Sequence, residues 1–357
     1  MTRGEVALHR VWPALARLPW ARLGDWPTPV ERLALGGDEL WVKRDDLSAD
    51  VYGGNKVRTL EAIFGEAQGR GASTIWATGA FGSNHALASA LHAPRAGLEP
   101  AVMLFPQPPT ACARENLVAT LATRARAVPL LHWSTLPLGI WRFARDPRAY
   151  VMVPGGATPT GALGYISAAL ELAEQVKQGV LPEPSRIVLG VGSTCTSAGL
   201  LTGLTLAARL GLGLRRAPEV WSVRVTPWPV TSKWRIVGLA ARASALLAEL
   251  TGDARLALSR EELAPGLRVL GGYIGRGYGY PTTSGAAAID RFASAGGPPL
   301  DTCYSGKAGA CALVSAGAGP TLFWATKSSR PLVAADDETL AAAPSPFRRW
   351  LARRALG

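Results

Sequence analysis

Four short segments of this chain carry residue types and spacings that could do chemistry. The first is Lys43-Arg44-Asp45-Asp46-Leu47 followed by Gly53-Gly54-Asn55-Lys56-Val57-Arg58. Two glycines let the backbone approach a ligand closely, and Lys56 opens the helical pattern that follows. A cation at a helix start opposes the macrodipole, and a lysine held as a Schiff base removes that conflict. A surface lysine beside a turn is the plainer reading of the same spacing. The second segment, Gly79-Ala80-Phe81-Gly82-Ser83-Asn84-His85, joins a strand to a helix. Ser83 or Asn84 would cap that helix, and the same amides and hydroxyl can hold a carboxylate. The third runs Gly190-Val191-Gly192-Ser193-Thr194-Cys195-Thr196-Ser197-Ala198-Gly199. A strand, a small polar loop and a helix start make a phosphate cradle of N–H groups and hydroxyls. Cys195 stands where a dinucleotide fingerprint needs its third glycine, so a monophosphate fits better than a pyrophosphate. The fourth set is Tyr278 between glycines, Tyr304-Ser305-Gly306-Lys307, and Thr326 at a strand end. Alone, these are turn tyrosines and a cap.

The elements that must position these loops alternate along the chain. Apolar strand-like runs are expected at 40–42, 74–77, 101–105, 150–153, 187–191, 220–225 and 321–324. Helical patterns fall near 56–68, 84–93, 113–125, 164–178, 196–210 and 232–250. A βαβα rhythm with apolar rather than alternating strands predicts an α/β fold with parallel sheets flanked by helices. Ligands in such folds bind at the carboxyl ends of strands, where all four segments lie.

Composition narrows the function classes. The 357 residues are 48% hydrophobic and 18% charged, which excludes wholesale disorder. The formal charge is +12, but only six of the 38 basic residues are lysine and the arginines are scattered. A nucleic-acid surface needs a contiguous basic stripe, so no nucleic-acid partner is expected. The uncharged run 187–208 is long enough to span a bilayer but is broken by Gly-Ser-Thr-Cys-Thr-Ser, so no membrane association is expected. Cys112, Cys195, Cys303 and Cys311 show no paired spacing and read as reduced thiols of a cytoplasmic protein. His85 and His92 lie seven apart with no third ligand spaced with them, so no metal site is expected.

Taken together and in order, the segments resemble the pyridoxal-phosphate enzymes that include 1-aminocyclopropane-1-carboxylate deaminase and D-cysteine desulfhydrase. The resemblance starts at Pro27-Thr28-Pro29-Val30-Glu31-Arg32-Leu33 and passes through the Lys56 and Ser83 segments. It continues through Pro154-Gly155-Gly156 and Gly161-Ala162-Leu163-Gly164-Tyr165 to Tyr304-Ser305-Gly306-Lys307-Ala308. It implies the two-domain fold of the tryptophan synthase β-subunit type: residues 1–60 plus 168–357 as the large cofactor domain, residues 61–167 as the small domain, and a homodimer. By the same resemblance Lys56 forms the Schiff base with pyridoxal 5′-phosphate, and Ser83 acts beside the substrate α-carbon. Asn84 faces the pyridine O3′, while Ser83, Asn84 and His85 together receive the substrate carboxylate. Gly192, Ser193, Thr194, Cys195 and Thr196 match the phosphate loop, Tyr278 and Tyr304 the active-site tyrosines, and Thr326 the group facing the pyridine nitrogen. A threonine there does not keep that nitrogen protonated as an aspartate does, which suits elimination over transamination.

The implied activity is that of a lyase or deaminase acting on a small amino acid by α,β-elimination, giving a 2-oxo acid and ammonia. A racemase, a dehydratase, a β-replacement synthase, or a non-catalytic homologue that binds the cofactor are the alternatives. Three departures from the family pattern bear on the substrate. Thr194-Cys195 replaces two loop glycines, a glutamine before Ser83 is lost, and Lys327-Ser328 follows Thr326 where two glycines are common.

Overall fold

The computed structural model describes residues 5–35 and 39–355. Ten strands form two sheets. They are β1 (Val30–Ala34), β2 (Glu39–Lys43), β3 (Thr74–Ala80), β4 (Glu99–Phe105), β5 (Arg126–Pro129), β6 (Ala149–Val151), β7 (Arg186–Val191), β8 (Glu219–Arg224), β9 (Leu267–Leu270) and β10 (Thr321–Trp324). The larger sheet has the order β1-β2-β10-β7-β8-β9 and the smaller β5-β4-β3-β6. Every pairing is parallel except the β1–β2 hairpin at one edge. All residues of β10, and all but the first of β3 and β7, are buried, as parallel strands covered on both faces require.

The seven expected strands are present. β1, β5 and β9 were not expected: β1 is an edge strand mostly exposed, and β5 and β9 span only four residues each. The six expected helices are found as Asn55–Gly69, Asn84–His92, Ala111–Ala122, Pro159–Lys177, Cys195–Arg209 and Lys233–Thr251. The Pro159–Lys177 helix begins five residues earlier than its apolar pattern, because Thr158 caps it through Gly161 N (3.0 Å) and Pro159 fits its first turn. Two further helices, Thr283–Ser294 and Ser305–Ser315, occupy a region read from sequence only as loops. Positions 60/61 and 167/168 both fall inside helices, Asn55–Gly69 and Pro159–Lys177, which pack together. Among the described residues no helix is long and apolar enough to cross a membrane.

A cluster of buried charges ties these elements together. The Arg58 guanidinium grips Asp45 through Nε–Oδ2 (2.9 Å) and Nη2–Oδ1 (2.8 Å), and Glu171 through Nη1–Oε2 (3.0 Å) and Nη2–Oε1 (2.9 Å). Lys43 Nζ donates to Glu171 Oε1 (2.5 Å), Thr28 O (2.7 Å) and Gln175 Oε1 (2.7 Å). Tyr165 OH and Trp324 Nε1 complete Asp45 Oδ2 at 2.8 and 2.7 Å, and Trp26 lies 3.8 Å under the Arg58 guanidinium. Burial alone would push the Asp45 and Glu171 carboxyls up, but Arg58 and Lys43 outweigh it and hold both below the usual range. The two cations and two carboxylates cancel. Removing one partner leaves a buried charge uncompensated, so Arg58→Met should cost about 3–5 kcal/mol. Urea unfolding followed by far-ultraviolet circular dichroism measures this; an unchanged midpoint would mean that the cluster carries no such weight.

Candidate active site

The Lys56 loop is held at both ends. Gly54 caps the Asn55–Gly69 helix with φ +95°, and a Cβ there would lie 2.6 Å from Thr326 O. Its backbone bridges Lys327, just past the end of β10. Asn55 N donates to Thr326 O (3.0 Å), and Asn55 Nδ2 donates to Thr196 Oγ1 (2.9 Å) at the start of the Cys195–Arg209 helix. These bonds bring the ends of β7 and β10 to one point. From that point Lys56 Nζ reaches Ser193 Oγ at 3.2 Å. Burial lowers the pKa of Lys56, with Cys195 opposing the shift, and among the described residues no carboxylate contributes to it.

The loop after β7 wraps this amine. Gly192 O accepts from Thr231 Oγ1 (2.6 Å) and Thr226 Oγ1 (3.3 Å). A Cβ on Gly192 would sit 3.0 Å from Tyr304 Cε1, so glycine is what lets the tyrosine ring cover the loop. Thr194 precedes the Cys195–Arg209 helix, and no side chain caps its first turn. Cys195 is fully buried, with its thiol facing Thr59 Oγ1 at 3.9 Å, and burial lifts that thiol to about 11. Its side chain is therefore turned into the core, and only its backbone is available to a ligand.

After β3, Ser83 Oγ caps the Asn84–His92 helix by accepting from Ala86 N (3.2 Å). Asn84 Oδ1 accepts from Tyr52 OH (3.0 Å) and Asn116 Nδ2 (2.9 Å), which fixes the amide and turns its Nδ2 donor outward. His85 is 3% exposed and neither of its ring nitrogens has a partner. Burial, helped by the charge of Lys56, lowers its pKa to about 3. The hydroxyls of Tyr278 and Tyr304 meet at 2.5 Å, with the rings edge to face. Burial raises both phenols above their ordinary value, so both are protonated at neutral pH. Lys307, fully buried, holds the loop before Tyr278 by donating to Ile274 O (2.9 Å) and Gly277 O (3.3 Å).

The family model described as pyridoxal-phosphate dependent enzyme matches residues 21–320. The chain belongs to that family. It is 34% identical over 327 residues to the nocardicin C-9′ epimerase of Nocardia uniformis subsp. tsuyamanensis, covering 89% of this chain and 94% of the relative. It is 32% identical over 311 residues to a D-cysteine desulfhydrase of Salmonella paratyphi A, covering 82% of this chain and 87% of the relative. The solved structure of an ACC deaminase homologue superposes with a TM-score of 0.73 at 27% identity, covering 90% of this chain and 94% of that one. As a member of the family the chain is an enzyme, its cofactor is pyridoxal phosphate, and its α/β fold is the expected one.

The residues present fit that cofactor. A lysine amine with lowered pKa and only a hydroxyl beside it, an uncapped helix start and a buried imidazole with two unpartnered nitrogens all lack an anionic partner, which a phosphorylated aldehyde supplies. The structure gathers Lys56, Ser193, Thr196 and Thr326 at one point and Tyr278, Tyr304 and Gly192 at another. Sequence reasoning missed Tyr52 and Asn116, which fix Asn84, and the clamp made by Lys307. Lys307 was visible in its motif without a role; Tyr52, directly before the glycine pair, was the one readable signal for the others.

Two predictions follow from these contacts. An unfolded chain takes up the His85 proton near the ordinary imidazole pKa of about 6.5 whereas the folded one does not, so folded stability falls as pH drops through that value towards 3. The slope from this one group is at most roughly 1.4 kcal/mol per pH unit. Thermal unfolding of His85→Gln from about pH 7 to about pH 5 should therefore show a shallower decline than the parent; parallel curves would remove His85 from the account. Lys307→Met removes two charge-assisted bonds worth about 1.5–3 kcal/mol each, so chymotrypsin should cut near Tyr278 at least about tenfold faster. An unchanged cutting rate would mean that the clamp does not hold the loop.

Proposed function

We propose that this pyridoxal-phosphate enzyme is a lyase or deaminase of a small amino acid, working by α,β-elimination in the manner of D-cysteine desulfhydrase or ACC deaminase. What carries the reading is the Lys56 amine, with pKa lowered by burial and no carboxylate beside it, close enough to the polar start of the Asn84–His92 helix for its charge to act on His85. When bound, pyridoxal phosphate supplies the electron sink for the α-carbon. Residues 192–196 would hold its phosphate, with Asn84 at its O3′ and Thr326 at its ring nitrogen. Ser83, Asn84 and His85 receive the substrate carboxylate. The Lys56 amine takes the α-proton. The protonated Tyr278–Tyr304 pair delivers a proton to the departing β-group, and the products are a 2-oxo acid, ammonia and that group. The smaller sheet belongs to the small domain, residues 61–167, and the larger sheet to residues 1–60 plus 168–357, within a homodimer.

A second reading, epimerisation at the same α-carbon, is favoured by the 34% identity to an epimerase over 89% of this chain. One experiment separates the two. In deuterium oxide with D-cysteine, D-serine and their L-enantiomers, the lyase releases ammonia and a 2-oxo acid, whereas an epimerase returns intact amino acid of inverted configuration carrying deuterium at Cα. Ammonia release supports the elimination reading; inversion without ammonia overturns it. Ser83→Ala should keep the visible absorbance of the bound cofactor and lose about a hundredfold or more in turnover. Equal turnover would remove Ser83 from the chemistry.

A further inference from the structure

The four cysteines are all free thiols, and two of them meet beside the tyrosine pair. Cys112 lies in the first turn of the Ala111–Ala122 helix, which packs on the Asn84–His92 helix next to the smaller sheet. Cys303 lies in the turn before the Ser305–Ser315 helix, which packs on β7 and β10 of the larger sheet. Cys112 Sγ, Cys303 Sγ and a carboxylate oxygen of Asp301 all lie within 4.8 Å of one another.

Such a cluster first suggests a metal ion, but Asp301 is already committed. Its Oδ1 accepts from Cys303 N (2.7 Å) and Tyr304 N (2.6 Å), and its Oδ2 from Ser305 Oγ (2.9 Å) and Ser305 N (3.4 Å). Four donors fill the roughly four lone-pair sites of a carboxylate. Asp301 is thus the cap of the turn, and two thiols remain. Cys303 is 3% exposed and its Sγ donates to Gly279 O (3.4 Å), whereas Cys112 is partly open to solvent. The S–H of Cys112 faces the Cys303 sulfur, which pulls the Cys303 thiol below its ordinary value and pushes the Cys112 thiol up, so Cys112 is singled out as the first nucleophile by its access to solvent and attacks from its small deprotonated fraction.

We propose that Cys112 and Cys303 are a thiol–disulfide exchange site, at which a low-molecular-weight disulfide such as oxidised glutathione closes a covalent bridge between the two sheet units. Cys112, the reachable sulfur, attacks the disulfide and releases one glutathione thiol. Cys303 then attacks Cys112 Sγ and releases the second. Two protein thiols and one disulfide become one protein disulfide and two small thiols, with both protons carried off on the leaving sulfurs. The bridge pins the turn carrying Tyr304 to the helix carrying Cys112.

Holoprotein incubated with oxidised glutathione, then acid-quenched and denatured, tests this. Titratable thiols are expected to fall from four to two, the intact mass to drop by two hydrogens, and a peptide map to show Cys112 joined to Cys303. Dithiothreitol should restore all four. Cys303→Ser should instead retain glutathione on Cys112, because the second displacement is lost. The proposal is overturned by four surviving thiols, by a stable glutathione adduct on the unaltered protein, or by a bridge involving Cys195 or Cys311. The mass and map of the unaltered protein decide the matter even where a variant fails to fold.

Discussion

Arg58 lies between two carboxylates in a region where none of the three side chains is more than 2% exposed, and the rest of the architecture is arranged around that constraint. A guanidinium cannot be left in such a place without full compensation. Asp45 therefore has to come from the helical turn just after β2 and Glu171 from the Pro159–Lys177 helix, with Lys43 balancing the second carboxylate. Arg58 is two residues beyond Lys56, Trp324 is two before Thr326, and Gly54 N donates to Asp45 O at 2.7 Å. The loop that presents the amine and the strand end that closes over it are thus anchored on the same neutral cluster.

Against that anchored floor the site itself is short of counter-charges. Burial lowers the pKa values of Lys56 and His85, the helix start after Thr194 lacks a side-chain cap, and the two tyrosines keep their protons. The charge cluster is complete without a ligand; the cleft is complete only with one. This contrast is what a cofactor enzyme requires: rigidity below the reacting atoms and unsatisfied polar groups facing them. The Lys307 clamp extends the rigid part to the loop carrying Tyr278, and the Cys112–Cys303 contact lies where the two sheet units meet.

Much of this was legible in the sequence. Apolar runs identified seven strands because buried parallel strands have no polar face to conceal them, and the order of the Lys56, Ser83 and Tyr304 segments identified the family. The helix Ser305–Ser315 was missed because small residues dominate it and leave little apolar periodicity to read, whereas Thr283–Ser294 carries a readable apolar face, with Ala288 and Phe292 buried, that was passed over between glycine-rich loops. Cys195 was read only as part of the phosphate loop, and the packing of its thiol against Thr59 was not legible, since the direction of a side chain at a helix start depends on what packs beneath it. The charge cluster was illegible for a different reason. Arg58 and Glu171 are 113 positions apart, and nothing local to either marks the other.

The central claim is that Lys56, alone among the six lysines, is the one bound to the cofactor. Borohydride reduction of the holoprotein, followed by proteolysis and mass spectrometry, locates the pyridoxyl group directly. The account predicts the label on the peptide containing Gly53-Gly54-Asn55-Lys56. A label on Lys43, Lys307 or Lys327, or no label on protein that is visibly loaded with cofactor, would contradict it.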